Sequence, residues 1–456
     1  MLSVGLGVTS SLTSVEALAR GGFIANGIQP RLALDFKNNS YVLDTGSVSF
    51  DAAFTAGSPK LTYACSSTST MVNSSGNIVS VAAGTPRVGH HVHNGSSFVN
   101  EGLLIESEAR TNLVAYSIPN ATNWAPIRAT ISENVSETVA PDGSQTASKG
   151  IENDALGTHR IDFVVTLTDT NTYTYSIFAK AAERSMIAME IGNSAVTGNF
   201  ARFDLSSGSV AAEGGTVTSS IENFGNGWYR CRVTAAAGTF DRILIGIFDG
   251  ATQSYRGDGS SGVFLWGAQL EENSTPSSYI PTTGATATRA AQTLAVPPAA
   301  FGWNNSAVSI QMEGRKTYAD TGSGGSGSGG AGEVVYYLWK NNTSNFIESY
   351  LGTDSTKTGQ PAFIQKNAGT RDFVVGSTTA FSPGTLVSFN FASRHGTTFL
   401  NGAVGGTALT ANTTPTALTD LSATNLQIAP KYMGTVRQFV QYDADIGDTG
   451  LEEVTS

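Results

Sequence analysis

Between residues 173 and 180 the chain alternates: Tyr173, Tyr175, Ile177 and Ala179 fall on one face of an extended segment, Thr174, Ser176 and Lys180 on the other, with Phe178 out of step. A period of two marks a strand buried on one face, whereas an amphipathic helix repeats its apolar residues at three and four. The pattern recurs. Residues 228–233 set Tyr229, Cys231 and Val233 against Trp228, Arg230 and Arg232, with the turn Asn226-Gly227 feeding them. Residues 242–248 align Ile243, Ile245 and Ile247, and residues 263–270 predict a single face for Phe264, Trp266, Ala268 and Leu270. Val308, Ile310 and Met312, then Val335, Tyr337 and Trp339, then Val387, Phe389 and Phe391 read the same way. Charged residues are only 14% of the chain, 51 glycines supply turns, and windows rich in Glu, Lys and Leu at helical spacing are absent. An all-β fold of tandem jelly-roll β-sandwiches follows.

A chain of 456 residues exceeds what one hydrophobic core holds. The expected division is an N-terminal attachment segment at 1–30, an N-terminal β region at 31–109, a jelly-roll domain at 110–285, a linker at 286–305 and a second sandwich at 306–456. In the first segment Thr13 and Glu16 stand at capping-box spacing, with Gly21 and Gly22 as a helix stop. In 286–305 periodicity lapses, and Pro297 and Pro298 argue against a paired strand. Residues 322–332 are a Gly/Ser run that reads as an overhanging loop.

The formal net charge of −10 repels nucleic-acid phosphates and anionic lipid, so neither is an expected partner. Residues 1–19 lack a basic stretch and a continuous apolar run, so no signal peptide is read and the chain is expected to fold in the cytoplasm where it is made. No apolar run approaches the roughly 20 residues that span a bilayer. Two cysteines, Cys65 and Cys231, give no disulfide framework and read as free, buried thiols.

Candidate chemistry is sparse. The Gly-rich run ends in Glu333-Val334-Val335 and not in the Gly-Lys-Ser/Thr of a phosphate loop. Of His90, His91 and His93, only the last two share a face of an extended segment, and a hydrogen-bonded loop cluster fits them better than a metal site. Asp258, in Arg256-Gly257-Asp258-Gly259-Ser260, could offer oxygen to calcium or bond its own turn; no cofactor or metal is assigned. No carboxylate pair or nucleophile elbow stands out, so no catalytic residue is named and an enzyme is not expected. Sugar binding needs aromatic faces that stack on pyranose rings beside planar polar groups. Trp228, Arg230 and Arg232 offer both on one strand, and the same residues equally fit a tryptophan covering a sheet edge with arginines paired to neighbours. Trp339 and Arg394, with Tyr337 and His395, are further candidates, although Trp339 shares its expected face with Val335 and Tyr337 and so fits a core.

Over about residues 103–283 an ordered series resembles the phage head-spike or fibre domain family. It runs Gly102-Leu103-Leu104-Ile105-Glu106, Ala109-Arg110-Thr111-Asn112-Leu113, Trp124, Pro141-Asp142-Gly143, Asn226-Gly227-Trp228-Tyr229-Arg230, residues 262–271, and Ser278-Tyr279-Ile280-Pro281-Thr282. Downstream, Thr398-Phe399-Leu400-Asn401-Gly402 and Gly434-Thr435-Val436, with 443–453 as a short ending, are similar to concanavalin A-like and laminin-G-like sandwiches, without a recognisable Asp/Asn calcium motif. The resemblance implies a carbohydrate-binding-module-like domain in a tail fibre, head fibre or gene-transfer-agent head spike. It further implies attachment to host capsular polysaccharide on the surface of a virion or phage-like particle, capsid or tail proteins as partners, and a homo-oligomer, trimeric on a tail or pentameric on a capsid vertex. The rival expectations are a purely structural fibre and a capsule depolymerase.

Overall fold

The computed structural model describes residues 23–43, 46–54, 61–167, 171–192, 198–235, 241–317, 333–353, 359–376 and 386–456. The helix expected near residue 16 and the Gly/Ser run at 322–332 lie outside the described residues. Among those described, four large sheets pair into two β-sandwiches, so the chain is all-β as its alternation requires. No described helix is long and apolar enough to cross a membrane.

The central sandwich packs a six-stranded sheet on a seven-stranded one. Tyr173, Tyr175, Ile177 and Ala179 meet Ile243, Ile245 and Ile247 in its core, with Cys231 and Val233 beside them, as the alternation predicts. Asn226 and Gly227 both adopt positive φ, the mirror-image turn that suits the twist of a two-residue hairpin between Val217–Gly225 and Trp228–Ala235.

One expected face is wrong for a local reason. In the strand Gly262–Glu271, Val263, Leu265, Ala268 and Leu270 enter the sandwich core while Phe264 and Trp266 point the other way. Gly267, at φ +65°, makes a β-bulge there: the register passes from Ser176 opposite Gln269 to Phe178 opposite Trp266, so the odd-numbered inward positions become even-numbered. The strand Glu333–Asn342 repeats the effect around Tyr336, so Tyr337 and Trp339 face the terminal core with Val334 and Tyr336, and Val335 faces away.

Phe264 and Trp266 are not left in water. With Phe178, Trp228 and Tyr279 they form a second apolar layer on the outside of the six-stranded sheet, roofed by Val72 and Ile78 of a small hairpin and by Val135, Ala140 and Ala147. Phe178, the residue out of step in its strand, belongs here.

Strand pairing divides the chain differently from the expected boundaries. The terminal sandwich is not confined to 306–456. Its ten-stranded sheet includes Leu32–Asp35, Ser40–Leu43, Gly46–Val48, Arg87–Val88 and Leu103–Glu106, and its seven-stranded sheet includes Thr62–Ala64 and Thr293–Val296. The long strand Met433–Tyr442 pairs along one side with Ala307–Thr317; along the other, Leu32–Asp35 lies against 438–441 and Leu103–Glu106 against 433–436. The 31–109 region therefore completes another sandwich and does not stand alone, and the central sandwich is inserted between strands of the terminal one. Nor is 286–305 an unpaired linker: Ala287–Arg289 pairs with Arg110–Asn112, and Thr293–Val296 ends only at Pro297, where a donor-less residue must leave the ladder. The short ending is a helix, Gly447–Thr455, whose Leu451 packs with Ile446 against Ala33, Val440 and Ala403 on the outer face of the ten-stranded sheet.

A buried ion cluster joins the two sandwiches. Arg87 donates to Glu106 at 2.7 Å, to Gln292 at 2.7 Å, to Ser278 at 2.9 Å and to the Thr70 carbonyl at 2.8 Å. Arg289 lies 3.0 Å from the same carboxylate, which also accepts the Ser278 amide and hydroxyl at 2.8 and 2.6 Å. Burial alone would raise the Glu106 pKa, but Arg289, Arg87 and Ser278 outweigh it and hold the carboxyl well below its usual range.

Candidate functional site

The strand chosen from sequence does not present a binding face. Trp228 is 2% exposed, and its indole donates to the Val139 carbonyl at 2.9 Å. Arg230 lies under the same layer, 5.4 Å from the centre of the Phe178 ring, donating to Ser176 at 3.1 Å. Arg232 donates to Ser220 across the hairpin. Trp339 is fully buried, bonds the Thr424 carbonyl at 3.0 Å and packs edge-on against Trp303 and Phe301. Arg394 clamps the C-terminal helix through Asp445 at 3.0 Å and Asp448 at 3.0 Å, its guanidinium over Phe399. Tyr337 and His395 bond each other in the core at 2.8 Å. Trp228, Trp339, Tyr337 and His395 are buried and cannot stack on a sugar without local unfolding, while Arg230, Arg232 and Arg394 are half-buried and engaged with the neighbours just named.

The other expectations resolve similarly. Both carboxylate oxygens of Asp258 accept from Ser260 and Ser261, closing its own turn. His90 accepts the Val72 amide, His91 lies 2.8 Å from the Gly89 carbonyl and His93 packs on Phe98, each imidazole engaged with a different neighbour. Cys65 and Cys231 are free and buried. Residues carrying the sequence resemblance serve the fold: Asn112 donates to the Ala268 and Ile280 carbonyls, and Tyr279 bonds Ser117.

A different place has the geometry for a ligand. The terminal seven-stranded sheet ends in three strands, Asn345–Gly352, Pro361–Asn367 and Thr370–Val375, the last at the sheet edge. Ala368 and Gly369, both at positive φ, turn the final hairpin in two residues. Strand alternation then sends Arg371, Phe373 and Val375 to the outer face, opposite Lys366, Ile364 and Ala362, while Asp372 on the other side accepts from Thr416 at 2.8 Å. Phe373 is 58% exposed and Val375 44%, a concentration of exposed apolar surface on one short strand.

Between this strand and its neighbours lies a cleft of about 280 Å³ lined by Tyr350, Gln360, Ala362, Arg371, Phe373 and Val375. The Arg371 guanidinium sits 5.7 Å from the centre of the Phe373 ring and donates to the Tyr350 hydroxyl over a long 3.4 Å. Burial, foremost, and then Glu333 raise the Tyr350 pKa, so the phenol keeps its proton. The cleft thus offers a ring face, a planar cation, an amide and a hydroxyl within one small volume, a set suited to the flat apolar face and hydroxyl rim of a monosaccharide. Sequence reading missed it. The signal available was the alternation Arg371, Phe373, Val375 next to an Ala-Gly turn, a pattern too short to separate from any other edge strand.

No protein-family model matches the chain, and a search of curated proteins finds no match. Among solved structures, it is similar to a leech intramolecular trans-sialidase complexed with 2,7-anhydro-Neu5Ac (13% identity, TM-score 0.26, covering 33% of this chain and 23% of that one). It is also similar to domain 4 of AbnA, an extracellular arabinanase from Geobacillus stearothermophilus in complex with arabinotriose (11% identity, TM-score 0.27, 39% and 81% covered). A third is domains LG4-5 of the mouse laminin alpha1 chain (10% identity, TM-score 0.22, 62% and 85% covered). Superpositions this loose add nothing to the β-sandwich architecture already described and do not bear on ligands.

Proposed function

We propose that the protein is a structural spike or fibre protein of a phage or phage-like particle that attaches to host cell-surface carbohydrate, such as capsular polysaccharide, through the cleft beside Phe373. The observation that carries the binding reading is that cleft: a ring more than half exposed, flanked by a guanidinium, at a sheet edge. In this reading the chain adheres without cleaving the glycan. The particle context rests on the sequence resemblance over residues 103–283. In this reading the chain is a homo-oligomer, trimeric or pentameric according to its mount on tail or capsid proteins. A weak single site then gains about a hundredfold or more from avidity.

The test is a pull-down of the full chain on host cells with and without capsule, with soluble sugar followed in the same tubes. Capsule-dependent binding that Phe373→Ala abolishes is the expected result. Binding indifferent to capsule leaves a structural spike, and time-dependent release of sugar makes the protein a depolymerase; either overturns the proposal.

A further inference from the structure

On the reading that the cleft holds a sugar, its charge says which kind. The six described lining residues carry one formal charge, the Arg371 cation. Several buried or half-buried arginines elsewhere are matched by carboxylates: Arg87 and Arg289 with Glu106, Arg184 with Glu152, Arg242 with Asp162, Arg394 with Asp445, and Arg437 with Glu101, whereas Arg202, Arg230 and Arg256 donate to carbonyl or hydroxyl oxygens. Arg371 has no carboxylate partner among the described residues. Asp372, its neighbour in sequence, faces the opposite side and is occupied by Thr416 and Asn412. Glu333 and Glu348 act on Tyr350 electrostatically but are buried in the sheet and do not line the cleft. Among the described residues the one hydrogen bond of Arg371 is the long contact to Tyr350, and its Nε is buried without a hydrogen-bond partner there. A guanidinium left so is preorganised for a planar anion, which satisfies two donors at once and neutralises the charge.

We infer that the cleft takes an acidic saccharide, in which a sugar-ring carboxylate pairs with Arg371 while the apolar face of the ring stacks on Phe373. Gln360 lies where its amide meets a hydroxyl. The chain's net charge of −10 opposes indiscriminate capture of polyanions, so retention of an acidic glycan depends on this local cation.

The test is affinity electrophoresis of the full chain in gels cast with polygalacturonate, alginate or hyaluronan, each run beside its carboxyl-reduced neutral form, and with dextran sulfate. Retardation by at least one acidic polymer is expected to exceed that by its reduced form by about tenfold or more in apparent Kd, the scale of a lost charge-assisted pair. Arg371→Gln should erase that preference, Arg371→Lys should keep part of it, and Phe373→Ala should weaken all binding, with melting curves confirming that the variants fold. Equal retardation by acidic and reduced forms overturns the inference while leaving a neutral-sugar adhesin intact. Equal retardation by dextran sulfate overturns the carboxylate assignment. No retardation in any gel overturns the inference; only the further absence of capsule-dependent binding to cells brings down the adhesin reading as well.

Discussion

Both sandwiches bury aromatic residues on the outer face of a sheet, Phe346 and Tyr350 among them in the terminal one, but the terminal sandwich leaves one such ring open. In the central sandwich Phe178, Trp228, Phe264 and Trp266 are roofed by the Ser69–Val72 hairpin and residues 135–147. In the terminal sandwich Phe373 stands open beside a guanidinium at the sheet edge. An aromatic side chain on an outward face is therefore a binding candidate only where no third layer covers it, and alternation along a strand carries no information about that layer. The largest break in this contrast is Trp228→Ala. Removing a buried indole that fills the space beneath the roof and bonds Val139 should cost about 3–5 kcal/mol. The shift in guanidinium midpoint, followed by circular dichroism, measures it; a loss under about 1 kcal/mol would mean that the roof does not seal Trp228 from water.

That contrast also explains what could be read from the sequence. The alternations at 173–179 and 243–247 identified inward faces because those strands keep regular pleats between two sheets. The faces of Phe264 and Trp266 were misassigned because Gly267 bulges, and a bulge changes parity without changing composition. The roof over Trp228 comes from residues 69–81 and 135–147, remote in sequence and weakly periodic, so only the tertiary structure brings it there. The same is true of the pairing of Leu32–Asp35 with Met433–Tyr442, about 400 residues along the chain, which no local pattern announces. The cleft was illegible for a related reason: Tyr350, Gln360 and Arg371 come from three strands and have nothing in common until the sheet forms.

A second, smaller break lies where the two sandwiches meet. Glu106→Gln leaves Arg87 and Arg289 buried with their shared counter-ion gone, and should cost about 3 kcal/mol. The effect is tied to pH. Because Arg289, Arg87 and Ser278 hold the folded carboxyl below its unfolded value of about 4.3, its contribution is fully present above that pH and is lost as pH falls below it. Denaturation at pH 7 and pH 3 should therefore show the wild type and Glu106→Gln converging in acid. A gap as wide at pH 3 as at pH 7 would locate the loss in packing and not in charge.

The smallest effect on stability is expected at Phe373. More than half of its surface is already in water, it sits on an edge strand, and its ring is absent from the terminal core, so Phe373→Ala should change unfolding free energy by no more than about 0.5 kcal/mol. Trp228→Ala and Phe373→Ala thus form opposed probes of the same residue class: one should unfold the protein without touching a ligand, the other should spare the fold and lose the glycan. If Phe373→Ala instead destabilises by 2 kcal/mol or more, the ring is packed in solution against chain that covers it. Its exposure would then no longer distinguish the terminal sandwich from the central one, and the cleft would be a seam in the fold.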